Sequence, residues 1–179
     1  MSYEEPTIHD VIEQLGARKA DVLLTLETLR AHRAQVVEAS AMFENPQAVL
    51  EYLDFFIPAF DEVVVACDGV CAELPTRVTR AQIDLLRQIA ANCRTEQRRC
   101  LVFRDKNINK PLPHESMRPL LNDISVTTRD QLTAFFDLNN AAARLERIIN
   151  TTQQEPEPKR VMGRRQLFTN LVKPIKDRL

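Results

Sequence analysis

Four arginines, Arg80, Arg87, Arg94 and Arg98, recur at spacings of seven, seven and four, which on a helix of about 3.6 residues per turn lines them along one stripe. A row of guanidinium groups on a rigid rod can follow the phosphates of a nucleic acid without reading its sequence, or it can dock an acidic protein surface. It can equally form exposed ion pairs with an acidic helix of the same chain. A second basic group closes the sequence: Leu167, Phe168, Leu171, Val172 and Ile175 have helical spacing, with Arg164, Arg165, Lys173 and Lys176 among them. That pattern suits a segment that docks in a groove of another subunit or on its own domain. A membrane surface suits it less, because Pro174 interrupts the apolar face.

Four cysteines could bind metal. Cys67 and Cys71 are four apart and could share an ion from one helical face, but Cys93 and Cys100 are seven apart, about 10 Å along a helix axis. Two thiolates on one tetrahedral zinc, with Zn–S about 2.3 Å, do not span that distance on an unbroken helix. Reduced, buried thiols are expected instead, with no metal and no cofactor. His9, His32 and His114 are scattered, and the adjacent Asp61 and Glu62 diverge by about 100° on a helix. No phosphate-binding glycine loop, nucleophile elbow or zinc-protease motif occurs, so a non-enzyme is expected.

The overall charge of −1 conceals strong polarity. Residues 34 to 76 hold eight acids and neither Lys nor Arg, whereas residues 77 to 110 hold nine bases against Asp84, Glu96 and Asp105. The second helix is thus an acidic element, and it is the expected partner of the arginine row.

The elements that carry these groups read as helices throughout. Ile8, Leu15, Val22, Leu29, Val36 and Phe43 recur every seven residues, with Val11, Ile12, Leu23, Leu26 and Val37 widening the stripe. One long amphipathic helix is expected from about Ile8 to Glu44, with Gly16 as its one obvious place to kink. Asn45-Pro46 ends it and starts the next, whose apolar face from Val49 to Leu74 is interrupted at Pro58, so a kinked helix or two short ones are expected. A third runs from about Thr79 to Arg104, and residues 105 to 113 form a loop. Pro119 and Asn122-Asp123 limit any helix that follows. Thr128 and Gln131 then form a capping box that opens the last core helix.

These features predict an all-α, up-and-down bundle of about four main helices over residues 1–152, a polar proline-containing linker over 153–160 and a basic amphipathic tail over 161–179. Met1 to Pro6 is acidic and lacks the basic and apolar regions of a secretory signal, so a cytoplasmic chain is expected. The expected role is a non-catalytic helical subunit or adaptor, partnered by other protein subunits or by further copies of itself. The alternative is a nucleic-acid-binding helical protein using the arginine row and the tail.

Overall fold

The computed structural model describes residues 5–152; the linker and the tail expected over 153–179 lie outside them. Five α-helices follow one another: α1 (Ile8–Glu38), α2 (Pro46–Glu73), α3 (Arg80–Asn107), α4 (Arg118–Ala134) and α5 (Leu138–Thr152). Only a 3-10 turn, Phe135–Asp137, separates α4 from α5, and the backbone stays right-handed helical through it, so the two form one bent rod. The result is a bundle of four rods with no strand among the described residues. α1 packs chiefly on α2, and α3 chiefly on α4 and α5; the bent rod also packs on α1, leaving α1 and α3 at opposite corners.

The helix starts follow from their caps. Thr7 and Asp10 form a capping box on α1, and Thr79 and Gln82 form one on α3: the threonine oxygen accepts the backbone N–H three residues on, and that residue's side chain accepts the threonine N–H. Asn45 caps α2, with Pro46 in the first turn, where a missing N–H costs nothing. α1 ends at Glu38 rather than near Glu44, because Ser40–Met42 tightens into a 3-10 turn and Phe43 becomes extended. The chain thereby reverses before Asn45, which the following proline holds out of the helical region. Gly16 does not interrupt α1, and space for a side chain is open around it. Pro58 leaves α2 continuous; Pro58 and Asp54, whose carbonyl loses its helical partner, are both exposed, so water can satisfy that group.

The expected break at Asn122-Asp123 and the start at Thr128 are not found. α4 runs through all three positions from Arg118, with Pro119 in its first turn. Thr128 is completely buried, and its hydroxyl donates to the Ile124 carbonyl at 2.9 Å within the helix. Its short spacing to Gln131 resembled a cap only because the same residue types also serve between helices.

The core joins all four rods. Val11, Leu15, Val22, Leu26, Leu29 and Val36 come from α1, Ile83, Leu86, Ile89, Ala90, Cys93, Cys100 and Phe103 from α3, and Leu121, Ile124, Leu132, Leu138 and Leu145 from the bent rod. A run of aromatic contacts links them through α2: Tyr52 stacks on Phe103 at 4.0 Å, Phe56 lies 5.5 Å from Phe60, and Phe60 meets Phe135 edge-on at 5.5 Å. Each such side chain removed from water contributes about 1.5–3 kcal/mol, which dwarfs any surface pair. Leu23 and Val37 do not belong to this core, being 45 % and 50 % exposed.

Candidate functional site

The arginine row lies along the outer edge where α3 meets the bent rod. Arg80 and Arg87 both reach Glu146 on α5, at 2.8 and 2.5 Å, and Arg80 also donates to the Asn150 side chain at 3.5 Å. These two guanidinium groups hold the Glu146 carboxyl below its ordinary pKa. Further along, Arg94 lies 5.5 Å from the centre of the Phe136 ring, within the range of a cation–π contact. Arg98 is exposed, and no side chain among the described residues partners it. The structure therefore brings Arg80 and Arg87 together, places Arg94 over a ring and leaves Arg98 apart.

The expected partner of this row, the acidic second helix, is engaged elsewhere. Lys19 pairs with Asp68 at 2.6 Å, Arg30 with Asp61 at 2.7 Å and Arg33 with Asp54 at 2.6 Å. As numbers rise along α1 they fall along α2, which is the register of an antiparallel hairpin. Heptad spacing puts Asp54, Asp61 and Asp68 on the flank of α2 that faces α1, so these three aspartates serve α1 and not the arginine row.

No family model, curated protein or solved structure matches this chain. Its function rests on its own geometry.

Val65 on α2 and Val126 on α4 are exposed singly, whereas on two outward faces exposed large aliphatic side chains stand in adjacent pairs. On α3, Leu101 is 56 % and Val102 49 % exposed, and Arg98 lies one turn before them. On α1, Leu24 is 66 % exposed beside Leu23, and Glu27 follows one turn later. Among the described residues no helix is long and apolar enough to cross a membrane.

The thiols sit in the core as expected. Cys67, Cys93 and Cys100 are buried, Cys71 is half-buried, and none is in a disulfide. Burial pushes Cys67 and Cys93 up to about 12. Cys100 also meets the Tyr52 hydroxyl at 3.1 Å. No group of three or more potential ligands could hold a metal ion among the described residues. His114 borders a small cavity of about 30 Å³ between the α1–α2 and α3–α4 loops, where Lys110 reaches Glu44 at 3.0 Å. That space holds a few waters at most.

The tail positions Arg164, Arg165, Leu167, Phe168, Leu171, Val172, Lys173, Ile175 and Lys176 lie outside the described residues. Glu146 is the group that the sequence did not reveal. It stands between Arg144 and Arg147 with no local sign of a role, and its arginine partners are 59 and 66 residues away.

Proposed function

We propose that this chain is a non-catalytic helical subunit or adaptor that docks on a protein partner through the outer face of α3. The observation that carries this reading is Arg98, exposed without a side-chain partner among the described residues and adjoining the half-exposed Leu101 and Val102. Aliphatic side chains next to an uncommitted guanidinium form a surface with both an apolar contact and a charge to satisfy, the combination found at protein interfaces. The bundle beneath supplies rigidity, since α3 is anchored along its length by Ile83, Leu86, Ile89, Cys93 and Phe103. The phosphate-ridge alternative has less support, because Glu146 engages two of its four guanidinium groups.

The test is the native size of the chain at its own cellular concentration. Crosslinked in intact cells before extraction, so that its cellular concentration is kept, it is expected to elute well above the 20.5 kDa of a single chain, and Leu101→Asp is expected to return it to that size without loss of helical signal. Elution of the wild type at single-chain size overturns the reading.

A further inference from the structure

We propose that the partner of the α3 face is the acidic outer face of α1 on a second copy of this chain, docked head to tail with Glu27 against Arg98. This rests on the docking function above and names its partner.

The two faces are complementary in charge. On α1, Glu13, Leu24, Glu27 and Glu38 recur at helical spacings on the side away from the core, and all are exposed. No side chain among the described residues partners Glu27 or Glu38. The bases of α1 do not neutralise this stripe, because Lys19, Arg30 and Arg33 are turned to the aspartates of α2, while Arg18 is held by Asp21 and Asp137. On α3 the outward side carries Arg94, Arg98 and Lys106 around Leu101 and Val102; Asp105, which accepts from Asn109, is the one acid among them and keeps its charge, and the register below sets it opposite Ala20 and not opposite a glutamate.

One register satisfies both the charges and the apolar groups. With the two helices antiparallel, setting Glu27 opposite Arg98 also sets Leu24 opposite Leu101. It places Ala31 opposite Arg94 and Ala34 opposite Ala91, so small side chains meet the long one and each other. Close approach of the helices is then unobstructed. Leu24 and Leu101, the most exposed large aliphatics of their helices, would cover each other.

The contact must be heterologous. A symmetric α1–α1 contact would bring Glu27 and Glu38 against their own copies, and a symmetric α3–α3 contact would do the same to the arginines, which like-charge repulsion opposes. Since α1 and α3 occupy opposite corners of the bundle, each docked copy keeps one free face of each kind, and association continues into a ring or filament.

The full-length chain, purified, is followed by sedimentation over roughly 10 µM to 1 mM, the range suited to a small interface. The mean mass is expected to rise above 20.5 kDa with concentration. Glu27→Arg and Arg98→Glu are each expected to weaken this association about tenfold or more, with unchanged circular dichroism. An equimolar mixture of the two variants is expected to regain it, since every contact between unlike chains then joins opposite charges; so is the double variant in one chain. A wild type that stays at 20.5 kDa throughout, or single variants that associate like the wild type, or a mixture that regains nothing, overturns the inference. If the pure wild type stays monomeric while the complex crosslinked in cells remains sensitive to Leu101→Asp, this inference fails and the docking function stands on a different partner.

Discussion

The Tyr52 hydroxyl of α2 lies 2.5 Å from Oγ1 of Thr128 on α4, in a part of the core where both side chains are buried. With the Cys100 thiol of α3 at 3.1 Å, the hydroxyl ties three of the four rods together. The consequences of removing each partner differ. Thr128→Val leaves the Tyr52 hydroxyl with only the weakly bonding thiol and is expected to cost about 1–3 kcal/mol. Tyr52→Phe leaves Thr128 its bond to the Ile124 carbonyl and is expected to cost less, about 0.5–1.5 kcal/mol. The double variant should cost clearly less than the two singles together, because the pair shares one interaction. Urea unfolding measures all three, and strict additivity would refute the shared bond.

The cysteines are expected to react in order of burial. Cys67 and Cys93, raised to about 12 by desolvation, hold almost no thiolate at about pH 8, and the thiolate is the nucleophile. Half-buried Cys71 should therefore be alkylated first in the native protein, and the other three only on unfolding. Mass spectrometry of a labelling time course checks this. Native-state labelling of Cys93 as fast as Cys71 would place α3 differently.

His32 makes stability depend on pH on the acid side of neutrality. Burial lowers its pKa from 6.5, only partly opposed by Asp123, and its buried Nδ1 has no hydrogen-bond partner. The folded state therefore binds this proton less tightly than the unfolded chain. The contribution is fully present above the unfolded value near 6.5 and is lost as pH falls through it. His32→Gln is expected to show a smaller drop in unfolding free energy between about pH 7.5 and pH 5.5. Equal drops in both proteins would remove His32 from the account.

Glu146 decides whether the arginine row is free. Glu146→Gln releases Arg80 and Arg87 and is expected to lower stability only slightly, since all three groups are at the surface. The wild type is expected to show no measurable affinity for duplex or single-stranded nucleic acid at about 50 mM salt. Binding with a slope of about −3 to −4 in log K against log salt would instead mean that all four arginines meet phosphates.

How much of this was written in the sequence depends on the range of the interaction. The third helix was legible to within a few residues, because Thr79 and Gln82 cap it locally and Ile83, Leu86, Ile89, Cys93 and Phe103 repeat with the helical period. The core placement of the cysteines followed from the same period. α4 was not legible, since Pro119 marks a helix start as readily as a stop, and Thr128 near Gln131 has the residue types of a cap.

What the sequence determined by itself is the all-helical architecture, the antiparallel sense imposed by short connections and most of the buried face, all of which rest on contacts within one or two turns. Only the tertiary structure decided which charges meet. Asp54, Asp61 and Asp68 serve α1, Glu146 holds Arg80 and Arg87, and Leu23 and Val37 fall outside the core although they extend its stripe. An exposed ion pair contributes too little to select a fold. The packing of Phe56, Phe60, Leu86 and Phe135 sets which rods are neighbours, and the surface charges pair with whatever that arrangement brings within reach.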